Sequence, residues 1–168
     1  MKIWVCDKTK VPKMQSRHGI THVLSLLDHG DHPFLHPLRT NKANCMMLNF
    51  PDTVDSNDPS APTMDHVRMI LAWGERLPED ANVLVHCFAG ISRSTAATLA
   101  IMIQREGIDK IDECITRLLE QRPQACPNPL IIKYADELLG AGGKLFDAVD
   151  RCDHMKLVKL LGWPPNQI

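Results

Sequence analysis

The residues best suited to chemistry lie together in one short stretch, residues 86–94, which reads HCFAGISRS. Cys87 is a candidate nucleophile, and Arg93 carries a planar fork of donors that matches two oxygens of a phosphate. A helix that begins near Arg93 would direct its dipole and its first N–H groups, with those of the loop, at one point beside the thiol. These residue types at this spacing predict a phosphate-binding pocket in which Cys87 is stabilised as the nucleophilic thiolate.

Two regular elements must flank this loop if it is to bind an anion. Residues 82–85 (NVLV) are typical of a buried strand, and residues 92–104 are typical of a helix. Gly90 would let the loop adopt a positive φ or approach the anion without a side-chain clash. Because Cys87 stands at the strand end, a catalytic cysteine is favoured over a buried structural one.

The stretch resembles the signature loop of the cysteine-dependent protein tyrosine phosphatases, in their compact dual-specificity-like form, and the chain is similar in size and layout to small bacterial members. The similarity extends over roughly residues 20–140. Residues 47–52 (MLNFPD) end in an aspartate near where that family carries its general acid. Arg122-Pro123 followed by Pro127-Asn128 resembles the segment that opens the last core helix of the family.

The resemblance implies a role for each residue of the loop. Cys87 would attack phosphorus and form a phosphocysteine intermediate, and the Ser94 hydroxyl would hydrogen-bond the departing thiolate. His86 would order the loop and tune the thiol, unless it is a core histidine satisfied by the backbone. Backbone N–H groups and the Arg93 side chain would stabilise the phosphoryl oxygens. The substrate-binding residues are then Phe88, Ala89, Gly90, Ile91, Ser92 and Arg93.

The departing ester oxygen needs a proton, and three aspartates upstream of the loop are candidates for the acid. Asp52 is preferred because it immediately follows a predicted strand, and Asp55 is the alternative. Asp55 and Asp58 both lie in turn-like sequence, where aspartate commonly caps the backbone. Asp58 is followed by Pro59 and is expected to be structural.

Around the loop, strands alternate with helices early in the chain, and helices alone follow. Strands are predicted over residues 3–6, 22–27, 45–50 and 82–86. Helices are predicted over residues 12–18, 62–77 and 92–104, after Asp109 as a cap, and from Asn128-Pro129 to Gly140. This order predicts an α/β fold with a small central sheet of about four to five strands flanked by helices, dual-specificity-phosphatase-like.

The domain organisation and bulk composition suit an ordinary enzyme. Residues 1–168 are expected to form a single phosphatase domain, with a core over about residues 1–142 and a C-terminal helix and tail over residues 143–168. A hydrophobic content of 44% is enough for one core. The 19 basic and 20 acidic residues leave a net charge of −1, which gives no bulk attraction to nucleic acid or an anionic membrane.

The cellular setting is predicted from the cysteines and from the apolar runs. No run approaches a membrane span, and the N-terminus has no apolar signal core, so export is not expected. The six cysteines show no paired spacing, which indicates a reducing cytoplasm. We expect a cytoplasmic monomer whose partner is a phosphorylated protein substrate, with no nucleic acid or membrane partner.

Several alternatives stay open. No metal or other cofactor is expected, although His29, His32 and His36 have spacings from which a metal site could be built. A phosphoprotein-binding pseudophosphatase would keep Arg93 and the loop amides without needing Cys87 or the acid. Phosphatases of RNA 5′ ends or of phosphoinositides are further possibilities, although this loop has no lysine and the chain has no basic excess.

Two further features have more than one interpretation. An aromatic residue could stack on a phosphotyrosine ring at the pocket rim, and the candidates are Phe34, Phe50 and Phe88. Residues 145–161 carry apolar side chains at helical spacing, which predicts a helix that packs on the core or docks a partner.

Overall fold

A parallel sheet carries the predicted loop in the computed structural model of the chain, which describes residues 1–31 and 44–152. Its strands are β1 (Lys2–Asp7), β2 (His22–Leu27), β3 (Cys45–Asn49) and β4 (Asn82–Cys87), in the order β1-β4-β2-β3. β4 pairs with β1 on one side and with β2 on the other. A parallel strand in this position is buried on both faces, which explains its uninterrupted apolar run. The predicted α/β fold with a sheet of about four to five strands is confirmed.

Helices cover both faces of this sheet. They are α1 (Val11–His18), α2 (Met64–Glu75), α3 (Arg93–Glu106), α4 (Ile111–Gln121), α5 (Pro129–Leu139) and α6 (Lys144–Arg151). The helix that follows the loop, α3, packs against α2, α4 and α5. Its residues 93–103 are all buried, so the element that presents Arg93 is held on every side by the core.

The two faces of β4 have different neighbours because successive side chains of a strand point in opposite directions. Val83, Val85 and Cys87 belong to the main core beneath α3. Leu84 belongs to a smaller cluster with Val11 and residues of β1 and β2. The nucleophile candidate thus faces the larger core, at the end of the strand where α3 begins.

Polar side chains cap the two helices that flank the acid segment and the loop. α2 begins at Met64, after Thr63, whose hydroxyl accepts the His66 amide at 3.3 Å while His66 Nδ1 accepts the Thr63 amide at 3.1 Å. Pro62 therefore lies before the cap, outside the helix predicted to begin there. Asn128 caps α5 by accepting the amides of Leu130 and Ile131 at 3.0 and 3.2 Å.

The predicted cap at Asp109 is wrong. Asp109 lies within a 3-10 turn over Ile108–Lys110, and α4 begins after it without a side-chain cap. Gly107, at φ +104°, redirects the chain, and its carbonyl accepts the Lys110 amide at 3.1 Å. A 3-10 turn leading directly into the helix supplies the partners that a capping side chain would otherwise provide.

The described part of the C-terminal region packs on the core. Leu145 and Val149 of α6 are buried in the main core, and α6 contacts α4 and α5. Leu157, Leu160 and Leu161 of the predicted helix lie outside the described residues, so its docking alternative stays a prediction. Across the ranges 1–31 and 44–152, no helix combines the length and the apolar character that crossing a bilayer would require.

Candidate active site

The thiol of Cys87 lies among donors at the end of β4. Its side chain is buried, its Sγ accepts the Gly90 amide at 3.2 Å, and it lies 3.2 Å from Ser94 Oγ in the first turn of α3. A backbone amide and a hydroxyl beside sulfur stabilise negative charge on it. The structure thus brings together Cys87 and Ser94 as the predicted mechanism requires.

Gly90 is required at its position for two independent reasons. Its φ is +67°, where residues with a side chain are strained. A Cβ added to it would lie 2.4 Å from the Cys6 carbonyl carbon and 2.5 Å from the Asp7 amide nitrogen, at the end of β1. The predicted positive φ is present, and the close approach is to the neighbouring strand.

The carbonyl groups of the loop are bonded to residues that surround it. Arg122 donates from Nε to the Gly90 carbonyl and from a terminal nitrogen to the Ala89 carbonyl, both at 2.9 Å. The Phe88 carbonyl accepts the Lys8 amide at 3.1 Å, and the Ile91 carbonyl accepts the Cys126 amide at 2.9 Å.

These outward bonds fix the direction of the loop amides. In a planar trans peptide, a carbonyl and the N–H of the next residue point in opposite directions. The N–H groups of residues 89–92 therefore point away from Lys8, Arg122 and Cys126. For Gly90 this direction is toward sulfur, as its bond to Cys87 Sγ shows. Converging amides of this kind form an anion-binding nest.

Arg93 is almost completely buried, with 2% of its side chain exposed, yet its hydrogen bonds to described residues do not use all of its donors. One terminal nitrogen donates to the Phe50 carbonyl at 2.6 Å and to Asp28 Oδ1 at 3.1 Å, and the other donates to Asp28 Oδ2 at 3.2 Å. Among the described residues, no acceptor lies within hydrogen-bond distance of Nε. A buried donor without an acceptor is rare in folded proteins and indicates a site for a bound anion.

Asp52 lies beside this arginine, between the loop and the start of α5. Its Oδ1 accepts from Ser92 Oγ at 2.6 Å and from Asn128 Nδ2 at 2.9 Å. Its Oδ2 lies 3.9 Å from Arg93 Nε. One carboxylate oxygen is therefore anchored and the other faces the guanidinium, so Ser92, a predicted substrate-binding residue, uses its hydroxyl to hold the predicted acid.

The other two candidate acids cap local turns. Asp55 Oδ1 accepts the backbone and side-chain amides of Asn57 at 2.9 and 3.0 Å. Asp58 Oδ1 accepts the Ser60 amide at 2.8 Å and the Ser60 hydroxyl at 2.6 Å. Both arrangements are Asx turns, in which aspartate stabilises its own backbone. The geometry places Asp52, and neither of the others, against the loop.

His86 is buried on the opposite side of β4 from Cys87. Its Nε2 lies 2.7 Å from the hydroxyl of Ser25, its register partner on β2. Burial lowers the pKa of His86 to about 4, and weaker effects of the Cys87 backbone and of Asp7 act in the opposite direction. The ring is therefore neutral at pH 7. His86 is thus a core histidine whose Nε2 is hydrogen-bonded to the Ser25 side chain.

The two described aromatic candidates for the pocket rim, Phe50 and Phe88, differ in their exposure. Phe50 is fully buried and stacks on the His66 ring with centroids 4.7 Å apart, so it cannot contact a substrate. Phe88 is 54% exposed, and Lys8 Nζ lies 3.9 Å from its ring centroid. Phe34 lies outside the described residues.

The alternative metal site is not tested by the structure, because His32 and His36 lie outside the described residues. Within the ranges that are described, no group of three or more histidine, cysteine, aspartate or glutamate side chains is arranged to hold a metal ion.

Four residues at the site had no role assigned from the sequence, namely Asp28, Ser25, Arg122 and Asn128. Asp28 directly follows β2, so it lies at the carboxyl end of the parallel strands, as the loop does. Polar residues at the carboxyl ends of parallel strands converge on one crevice, and this signal could have identified Asp28. Arg122 and Asn128 were visible only as parts of a resembling segment.

The chain is similar in sequence and in fold to known proteins. Residues 3–136 match the family model described as "Dual specificity phosphatase, catalytic domain". The chain is 31% identical over 122 residues to "Dual specificity protein phosphatase 15" of Mus musculus, which covers 71% of this chain and 46% of that protein. It is 26% identical over 111 residues to "MAP kinase phosphatase with leucine-rich repeats protein 2" of Dictyostelium discoideum, covering 66% of this chain and 14% of that protein. The chain thus spans less than half the length of these two curated relatives.

A solved structure with the same architecture is that titled "Crystal structure of human DUSP28". It has a TM-score of 0.62 and 18% sequence identity, and the match covers 83% of this chain and 88% of that one. Similarity at this level of identity shows the shared fold. The family match covers most of the sequence, including the loop and the residues that surround it. The chain belongs to the dual specificity phosphatase family, and residues 3–136 correspond to its catalytic domain.

Proposed function

We propose that the chain is a protein phosphatase that hydrolyses phosphotyrosine, with phosphoserine and phosphothreonine as further substrates. The observation that carries this proposal is a thiol, Cys87 Sγ, that accepts a loop amide, followed six residues later by a buried arginine whose Nε has no hydrogen-bond acceptor among the described residues. Phosphoryl transfer depends mainly on such positioning and charge stabilisation.

The first step transfers the phosphoryl group to sulfur. The Cys87 thiolate attacks phosphorus, the S–P bond forms, and the P–O bond to the substrate breaks. Asp52 Oδ2 delivers a proton to the departing oxygen, while Ser92 and Asn128 hold Oδ1. The loop amides and Arg93 stabilise the equatorial phosphoryl oxygens throughout.

The second step hydrolyses the phosphocysteine. Asp52, now a carboxylate, accepts a proton from water as that water attacks phosphorus and the S–P bond breaks. The Ser94 hydroxyl, 3.2 Å from Sγ, donates a hydrogen bond to the thiolate as it departs. Inorganic phosphate leaves, and no step uses a metal ion.

Substrate class and setting are part of the same proposal. The exposed ring of Phe88, next to the nucleophile, is suited to contact the ring of a phosphotyrosine. We further propose that the protein acts as a monomer in a reducing compartment such as the cytoplasm. The six cysteines show no paired spacing in the sequence, which supports that setting.

The test uses an activated aryl phosphate and a pair of cysteine variants. Cys87→Ser should abolish turnover while inorganic phosphate still binds, because serine does not ionise comparably. Cys114→Ser, at another buried cysteine far along the chain in α4, should keep turnover and serves as the matched control. Arg93→Lys should lose both binding and rate, because an ammonium cannot form the planar clamp.

Three outcomes would overturn the proposal. Retention of more than about a hundredth of the activity in Cys87→Ser would exclude Cys87 as the nucleophile. Phosphate binding without any turnover by the wild type would identify a phosphoprotein-binding module instead. Turnover that EDTA abolishes and zinc or manganese restores would contradict the metal-free mechanism and favour the histidine segment.

A further inference from the structure

The guanidinium of Arg93 has two edges with different surroundings. Asp28 occupies the edge formed by the two terminal nitrogens, with N···O distances of 3.1 and 3.2 Å. The remaining hydrogen of one terminal nitrogen goes to the Phe50 carbonyl at 2.6 Å. What is left is the Nε hydrogen and the second hydrogen of the other terminal nitrogen, which lie side by side on the opposite edge.

This remaining edge has the geometry that a phosphate needs. Two parallel N–H donors of a guanidinium bind two oxygens of one phosphate in the bidentate arrangement. Nε, one member of the pair, is buried and has no hydrogen-bond acceptor among the described residues, because Asp52 Oδ2 lies 3.9 Å away. The hydrogen bonds of Arg93 to Asp28 and Phe50 therefore leave unused those donors that a phosphate would use.

We infer that Asp28 is a positioning residue, which fixes the rotation of the Arg93 guanidinium so that its Nε edge faces the phosphate. This inference rests on the proposed phosphatase function. Without Asp28, the guanidinium would keep one described hydrogen bond, to the Phe50 carbonyl, and its more distant ion pair with Asp52, and it could still rotate about that single hydrogen bond. The bidentate contact of Asp28 with the two terminal nitrogens removes this freedom before the substrate arrives.

The backbone of Asp28 is itself held in place, as a positioning residue requires. Its carbonyl accepts Asn49 Nδ2 at the end of β3 and the Asp31 amide within the following turn, both at 3.1 Å. These contacts join the turn after β2 to the neighbouring strand. The carboxylate therefore reaches Arg93 from a fixed point on the sheet, although 41% of its side chain is exposed.

The opposite role for Asp28 would be competition with the substrate. A carboxylate near the pocket repels a phosphate, and one bound to the phosphate-binding edge would have to be displaced. The observed contacts place Asp28 on the other edge, so binding the phosphate does not require that contact to break. Positioning and competition predict opposite changes in oxyanion affinity when the carboxylate is removed.

The experiment measures kcat and KM for an aryl phosphate and the inhibition constant of vanadate in three variants. Asp28→Asn should weaken vanadate inhibition about 10-fold or more and lower kcat, because an amide cannot bind both terminal nitrogens. Asp28→Glu, which keeps the carboxylate, should recover much of the loss. Asp31 lies in the same turn and carries the same charge, but its carboxylate pairs with Lys8. Asp31→Asn should therefore change kcat and the vanadate inhibition constant less than about twofold.

A double variant separates positioning from a general structural effect. In an Arg93→Lys background, Asp28→Asn should cost little further vanadate affinity, because the fork that Asp28 orients is gone. Equal losses in both backgrounds, or tighter vanadate inhibition of Asp28→Asn, would overturn the inference while leaving the phosphatase function intact. An inactive wild type would instead overturn the proposed function.

Discussion

The two oxygens of Asp52 have different tasks in the proposed mechanism. Oδ1 is held by Ser92 and Asn128, and Oδ2 lies toward Arg93. Asp55 instead uses its carboxylate to cap a turn through Asn57. The two aspartates have the same side chain, so only their contacts distinguish the proposed general acid from the residue that caps a turn.

Asp52→Asn should therefore show a loss that depends on the leaving group. Tyrosine leaves with a pKa of about 10 and needs a proton, so turnover of a phosphotyrosine peptide should fall about 10²- to 10⁴-fold. An aryl phosphate with a much more acidic phenol leaves almost unassisted and should be affected far less. Comparing kcat/KM for the two substrates measures this difference.

Asp55→Asn is the matched control for this comparison. It removes the same charge three residues away and should affect both substrates mildly and equally. A leaving-group-selective loss in Asp55→Asn, without one in Asp52→Asn, would reverse the assignment. The absence of selectivity in both variants would place the acid elsewhere.

The loop takes its shape from the strands and helices around it. The end of β1 lies against Gly90, and Arg122, which follows α4, binds two loop carbonyls. The residues that precede α5 bind the loop through Cys126 and hold the acid through Asn128. The amides point inward because these neighbours bind the carbonyls from outside.

Gly90→Ala should be strongly destabilising, since it combines a positive φ with a clash against the β1 backbone. We expect the free energy of unfolding to fall by roughly 2–5 kcal/mol, with loss of aryl phosphate turnover. Gly140→Ala provides the control, because Gly140 has nearly the same φ, +66°, and nothing within 4 Å of an added Cβ. It should cost only about 1–2 kcal/mol and leave turnover unchanged.

The difference between these glycine variants isolates the contact with β1. Denaturant unfolding and turnover measured on both proteins give the comparison. Equal destabilisation in the two variants would mean that the conformational strain alone matters and that β1 yields to the added methyl group.

Buried His86 links the stability of the folded protein to pH. Its pKa is about 4 in the folded protein and near 6.5 in an unfolded chain. Between these values the unfolded chain binds a proton that the folded protein does not. The contribution is thus fully present above about pH 6.5, and stability is lost as the pH falls toward 4.

Removing this histidine should flatten the acid limb of the stability curve. Between pH 7.5 and 4, wild type should lose up to about 3 kcal/mol more unfolding free energy than His86→Gln. Urea unfolding of both proteins at the two pH values measures the difference, in which the titrations common to both cancel. Parallel losses would show that His86 is not the group that titrates.

Much of the fold was predictable because its signals are local. The four strands lie where the apolar runs predicted them, and Gly140 ends α5 as expected. Helix starts were harder to predict. A turn of 3-10 helix leads into α4 where Asp109 was predicted to cap it, and Thr63 caps α2 one residue after the predicted start. Several residue types satisfy the first amides of a helix equally well, so the sequence pattern does not select one.

The loop could be predicted from the sequence because Cys87, Gly90, Arg93 and Ser94 lie within one strand–loop–helix unit whose geometry is local.

The side chains that surround the loop, in contrast, are brought there by the tertiary fold. Arg93 and Asp28 are 65 residues apart in the chain, Ser92 and Asp52 are 40 apart, and Asn128 and Asp52 are 76 apart. Contacts at such separations depend on the strand order and on the packing of α3 and α5, which no local pattern encodes. That packing turns Asp52 toward the loop, leaves Asp55 in its turn, and sets Asp28 on the outer edge of Arg93.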